Sequence, residues 1–183
     1  MFDFDLIVVG AGHAGCEAAL VGARSGKKTL LLSLNLDSVA WTPCNPSVGG
    51  PAKGVVAREI DALGGEIAKN TDETMIHIRL LNTSKGYAVQ ALRAQIDKYR
   101  YSARMAAVLH RAPHLTLRYG LVERLILENG RAVGVETHFG EMYRARAVII
   151  TAGTFLKGKI FVGPHELPSG RLGELPSDQL SES

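Results

Sequence analysis

The stretch Leu6-Ile-Val-Val-Gly-Ala-Gly-His-Ala-Gly15 constrains the chain more than any other. Leu6–Val9 is a continuous apolar, largely β-branched run, the pattern of a parallel strand buried on both faces. It breaks at Gly10-x-Gly12-x-x-Gly15 and passes into the alanine-rich segment Ala14–Ala23, which reads as a helix. A second apolar run, Lys28–Leu32, reads as the next strand. Strand, three glycines, helix and strand form the context in which this motif binds the pyrophosphate of a dinucleotide. Gly10 permits the tight turn, Gly12 lets the pyrophosphate approach the backbone, and Gly15 lets helix and strand pack closely. The N–H groups that open the helix face the anion.

Such a site normally carries an acid at the end of its second strand, about twenty positions on, for the ribose hydroxyls. Here that place falls at Ser33, and the next acid is Asp37. The ribose must be held by Ser33, Asn35 or backbone, or by Asp37 if the loop folds back. This weakens a plain nicotinamide dehydrogenase without removing a dinucleotide.

With 183 residues, 46% of them hydrophobic, the chain can bury one good core. The net charge of +3 mildly favours an anionic partner. Two cysteines, Cys16 and Cys44, make no disulfide framework, and nothing at Met1 resembles a signal peptide. No apolar stretch approaches the length of a membrane span. The expectation is a reduced, soluble, cytoplasmic protein.

Asn35–Gly54 is a long loop broken by Pro43, Pro46 and Pro51. Cys44 lies in it, with Lys53 nearby in sequence. A thiol beside positive charge serves as a nucleophile or redox group, whereas a lone cysteine elsewhere fills a small apolar gap. Both readings stay open on spacing alone. Gly54–Leu63 reads as an amphipathic helix with Val55, Ile60 and Leu63 facing a core, and Asn70–Glu73 as a polar turn. Met75–Leu81 alternates like a strand. It leaves His77 exposed, with no second ligand at metal spacing, so no metal site is expected.

After the loop Asn82–Gly86, which carries Lys85, the periodicity predicts a helix over about Val89–Arg111. Leu92, Ile96, Tyr99, Ala103 and Ala106 would form its apolar face. Arg93, Arg100, Arg104 and Arg111 would line a stripe beside it, read first as solvated and alternatively as a phosphate grip. From Leu115 short strands follow, joined by Asn129-Gly130 and Phe139-Gly140. They predict a β-meander over about 115–146 before the buried strand Ala147–Gly153. The fold class is therefore α/β, Rossmann-like, with a parallel sheet, crossover helices and an inserted β-meander.

Six blocks, in order, resemble one family closely. They are Gly10-Ala-Gly-His-Ala-Gly-Cys-Glu-Ala-Ala19, Pro43-Cys-Asn-Pro-Ser-Val-Gly-Gly50, and Lys53-Gly54 with Arg58-Glu-Ile-Asp-Ala-Leu-Gly-Gly65. Leu81-Asn-Thr-Ser-Lys-Gly86, Arg93-Ala-Gln-Ile-Asp-Lys98 and Thr151-Ala-Gly-Thr-Phe-Leu-Lys-Gly158 complete them. From Phe4 to about Ser177 the chain is similar to the N-terminal third of the glucose-inhibited division protein A family, the tRNA uridine 5-carboxymethylaminomethyl modification enzymes. It departs at Tyr87 and Gln90, where the family usually has Pro and Arg, and at Pro51 in a loop usually rich in Gly or Ala.

The resemblance implies that residues 1–183 are the N-terminal part of a Rossmann-type FAD-binding domain, incomplete as it stands, with the family's later domains absent. It implies FAD held by Gly10, Ala11, Gly12, His13, Ala14, Gly15, Val122 and Ser177, with NADH and methylene-tetrahydrofolate as co-substrates. Cys44 matches the family's redox-important cysteine and becomes the catalytic candidate, while Cys16 is expected to be structural. Lys53, Lys85 and Arg93 become candidates for contact with tRNA, whose wobble uridine is modified at C5. A GTPase partner and a homodimer belong to the full-length family, and no membrane association does. Two alternatives stand beside this: a folate- and FAD-dependent tRNA uridine C5-methyltransferase, and a non-catalytic nucleotide-binding module. On this reading the chain alone is an inactive fragment.

Overall fold

The computed structural model describes residues 2–43 and 45–183. In chain order its strands and helices are β1 (Phe4–Val9), α1 (His13–Arg24), β2 (Thr29–Ser33), β3 (Ser47–Gly49), α2 (Lys53–Ala62), α3 (Ile67–Thr74), β4 (Met75–Leu81) and β5 (Ala91–Ile96). They continue with α4 (Lys98–Arg111), β6 (Leu115–Tyr119), β7 (Val122–Glu128), β8 (Arg131–Thr137), β9 (Met142–Ile150), β10 (Lys159–Val162) and β11 (His165–Pro168). The chain divides into two compact units, one running to Leu36 and resuming over Leu109–Ser183, the other Asp37–Val108.

The first unit is built on a six-stranded sheet of order β6-β2-β1-β9-β8-β7. β6, β2, β1 and the second half of β9 run parallel, with Val9 opposite Leu32 and Ile150. Successive side chains point to opposite faces, and both faces are filled. Ile7, Val9, Leu30 and Leu32 join Val122, Val135, Ala145 and Leu180 in one core cluster. α1 packs on β1 and β2 and buries Cys16, Ala19, Leu20 and Ala23. That double coverage explains why Leu6–Val9 and Leu30–Leu32 read as unbroken apolar runs. Cys16 is fully buried, as its small size beside Gly15 leads one to expect.

β9 differs from the sequence-based expectation of two strands. Met142–Arg144 pair antiparallel with β8, and Ala145–Ile150 continue in the same strand as parallel partners of β1. One strand thus closes the meander and returns to the central sheet. β6 also differs, being a parallel edge strand on β2, so the antiparallel meander consists of β7, β8 and the start of β9.

In the second unit β3, β5 and β4 form an antiparallel sheet accompanied by α2, α3 and α4. The helix expected over Val89–Arg111 is overturned in its first half. Ala91–Ile96 is a strand, with Ala91, Ala94 and Ile96 buried. Asp97 starts the helix afresh, its Oδ1 accepting the backbone N–H groups of Tyr99 at 3.0 Å and Arg100 at 3.1 Å. The buried apolar residues of α4 are Tyr101, Met105 and Leu109 at four-residue spacing, while Tyr99 is exposed. Asn70–Glu73 belongs to α3 rather than to a turn, because Asn70, Thr71 and Thr74 are buried there. α2 forms as expected, but Val55 and Leu63 are exposed and Ile60 is half-buried.

Candidate functional site

The glycine turn lies where β1 ends and α1 begins. Gly10 has φ +100°, and a Cβ there would stand 2.6 Å from the Thr151 carbonyl oxygen. Gly15 is closed in as well, since its Cβ would fall 1.8 Å from the Gly10 carbonyl oxygen. Gly12 is different. Its φ of −72° suits any residue, and a Cβ there would meet nothing within 4 Å. Nothing in the chain itself demands glycine at that position. What a side chain would fill is the open approach to the N-terminus of α1. That helix has no side-chain cap and no acid in its first turn, so its first N–H groups are presented to an anion. The residues fit a pyrophosphate.

Thr151 fastens the turn to the returning strand. Its Oγ1 lies 2.9 Å from both the Val9 and Gly10 carbonyl oxygens, its one proton shared between them. The Thr151 N–H donates to Val9 as well, at 2.9 Å.

A cleft of about 500 Å³ opens beyond the C-terminal ends of β2 and β6. Its walls include Leu34, Tyr119, Glu123, His138, Phe139 and Ser177. At Ser33 the hydroxyl donates to the Asn35 carbonyl at 3.0 Å, so it is already engaged in the loop. β7 brings a carboxylate, Glu123, to the same cleft. Glu123 Oε1 lies 2.6 Å from His138 Nδ1, and both side chains line the cleft. Sequence reasoning passed over this pair because it depends on the β7–β8 register, which brings residues fifteen apart together. Val122 and Ser177 also meet, the Ser177 hydroxyl donating to the Val122 carbonyl at 3.1 Å. Both are buried. Turn, cleft and the Val122–Ser177 contact belong to one unit.

The basic candidates lie in the other unit. Lys53 begins α2 and is exposed. Lys85 is exposed in the loop joining β4 to β5. Arg93 stands on β5, half-buried, opposite Gly49 of β3 and Arg79 of β4. The expected arginine stripe does not form. Arg93 is on a strand, and Arg104 is engaged by Glu66 at 2.9 Å and by Glu73. Those carboxylates push the Arg104 guanidinium above its ordinary range, chiefly through the hydrogen bond to Glu73. Cys44 lies outside the described residues. Among those described, no cluster of His, Cys, Asp and Glu could hold a metal ion. Among the described residues, no helix is long and apolar enough to cross a membrane.

A parallel sheet with this glycine turn at its first β–α junction, and a cleft past its strand ends, defines a dinucleotide-binding domain of the Rossmann class. More narrowly, the chain belongs to the glucose inhibited division protein A family, whose model matches residues 5–183. It is 60% identical over 179 residues to the tRNA uridine 5-carboxymethylaminomethyl modification enzyme MnmG of Geobacillus kaustophilus, covering 98% of this chain and 28% of that protein. The MnmG of Bacillus subtilis is 58% identical over the same share of each chain. Among solved structures, GidA of Aquifex aeolicus superposes with a TM-score of 0.92 at 49% identity, covering 98% of this chain and 30% of that one. The chain thus spans a little over a quarter of the length of these relatives.

Proposed function

We propose that this chain is the dinucleotide-binding portion of an FAD-dependent tRNA-modifying enzyme, one that adds a carboxymethylaminomethyl group at C5 of the wobble uridine. The observation that carries the reading is Gly12, which the fold does not require and a bound pyrophosphate does. The family match and the names of the relatives direct it towards tRNA. Their identity over 98% of the chain favours it over the folate-dependent C5-methyltransferase alternative.

In this reading Gly10, Ala11, Gly12, His13, Ala14 and Gly15 receive the pyrophosphate of FAD on the opening N–H groups of α1. Adenosine extends past β2 into the cleft, towards Val122 and Ser177. Its ribose diol finds in Glu123 the carboxylate acceptor that Ser33 does not offer. Bound there, the flavin supplies the two-electron chemistry that amino-acid side chains lack. Cys44 acts as the redox or nucleophilic thiol, a role that rests on the family resemblance. Lys53, Lys85 and Arg93 meet the tRNA. NADH, methylene-tetrahydrofolate, a GTPase partner, a homodimer and a cytoplasmic setting complete the proposal for a polypeptide of the relatives' length.

Titration of a polypeptide of the relatives' length with FAD, followed by flavin fluorescence, tests the cofactor assignment. Saturable binding that Gly12→Val abolishes is expected. NADH binding at the turn with no affinity for FAD would refute it. In the full-length enzyme, Cys44→Ser should keep the flavin while wobble-uridine modification is lost.

A further inference from the structure

The β4–β5 ladder sets Arg79 directly opposite Arg93, in the register that also pairs Ile78 with Ala94 and Leu80 with Leu92. Opposed residues of an antiparallel pair project to the same face with Cβ atoms about 5 Å apart, and like charges so placed destabilise the sheet. Glu or Asp beside the pair would relieve the repulsion. Among the described residues neither guanidinium stands in an ion pair, in contrast to Arg104, Arg144, Arg146 and Arg171.

The surroundings add positive charge and room. On the far side of β5 the residue opposite Arg93 is Gly49, which contributes no side chain. His77 stands two residues before Arg79 on the same face, opposite Gln95. The Gly50 N–H donates to the Leu92 carbonyl at 2.8 Å, which ties the turn before α2 to β5 beside Arg93. α2 then opens with exposed Lys53, without a side-chain cap or an acid in its first turn. Two unneutralised guanidinium forks held side by side match the oxygens of one phosphate group.

We propose that Arg79 and Arg93 form a clamp for a backbone phosphate of the RNA substrate, Arg79 being a contact that no sequence motif marks. The assignment rests on the reading of RNA as substrate. It makes a distinctive claim about stability: the clamp is built at the expense of the sheet, so removing either charge leaves the fold as stable or more so. An arginine with a structural role behaves in the opposite way.

Arg79→Gln and Arg93→Gln are compared with the unaltered chain by thermal unfolding and by fluorescence anisotropy with an unmodified tRNA across a salt series. Arg24→Gln, on α1 in the other unit, is the control. Both clamp variants should melt at or above the parent temperature and bind tRNA about three- to tenfold more weakly. Each should also flatten the salt dependence by roughly one phosphate contact, with the control unchanged. Parental tRNA binding with an unchanged salt slope in both clamp variants would overturn the clamp and leave the RNA reading standing. Binding of a nucleoside monophosphate but not tRNA, lost in both variants, would keep the clamp and overturn RNA as its source. A chain that binds neither would overturn both. A fall in melting temperature in both variants would assign the arginines a structural role and overturn the proposal.

Discussion

Gly15 packs so tightly against Gly10 that a Cβ on the first would lie 1.8 Å from the carbonyl oxygen of the second. Three residues earlier, Gly12 has open space where its Cβ would be. The two glycines are thus required by different things, one by the fold and one by a ligand. Gly15→Ala should destabilise the chain by about 3 kcal/mol or more, because the obstructing atom is backbone and cannot step aside. Gly12→Ala should change stability by less than about 1 kcal/mol, since its φ and ψ already suit alanine and the unfolded chain loses freedom, while the N-cap position favours glycine. Yet the same change should weaken dinucleotide binding. Urea unfolding and FAD titration of both variants check the contrast.

Thr151 holds the turn from the other side. Replacing it by valine keeps the shape but removes the hydroxyl shared between the Val9 and Gly10 carbonyls. The loss should be about 1–2 kcal/mol in urea unfolding. Thr151→Ser keeps the hydroxyl and should restore most of it. A valine variant as stable as the parent would show that the shared proton contributes nothing.

The Ser177 hydroxyl donates to the Val122 carbonyl, where the residues after the β10–β11 hairpin meet the start of the meander. Ser177→Ala should cost about 1 kcal/mol in unfolding, for a buried carbonyl loses its partner. The same change should weaken FAD binding more than it weakens binding of riboflavin, which has no adenosine to reach this cleft. Parallel titrations with the two ligands separate the effects.

The parts of this fold that were legible in the sequence are those whose cause is local. β1, the glycine turn and α1 could be read because burial keeps Leu6–Val9 of β1 apolar and the turn needs glycine at Gly10 and Gly15. The strand Ala91–Ile96 was hidden, because Leu92 and Ile96, four residues apart, also fit a helical spacing; the break at Asp97 was the available signal. The continuity of β9 was hidden too, since Arg144 and Arg146 interrupt its apolar pattern where the strand changes neighbours. The Glu123–His138 and Arg79–Arg93 pairs are products of register. No local spacing announces them.

Arg104 on α4 joins two carboxylates of differing exposure: Glu66, buried, and Glu73, largely exposed. Asn70 on α3 adds a further contact to the guanidinium at 3.4 Å. Arg104→Met should therefore destabilise the chain by about 3 kcal/mol, because buried Glu66 loses the guanidinium that faces it. Adding Glu66→Leu should recover a large part of the loss, a non-additivity that only a direct pair produces. The same network predicts the response to acid. The hydrogen bond from Arg104 holds the Glu73 carboxyl below its ordinary value of 4.5. A carboxyl with a depressed folded-state value stabilises above the unfolded-state value, and the contribution disappears as pH falls through the folded one. Melting temperature should thus decline below about pH 4.5 in the parent, and Glu73→Gln should lower the plateau at neutral pH while making that decline shallower. Identical slopes in the two proteins between pH 5 and 3 would place the acid sensitivity elsewhere.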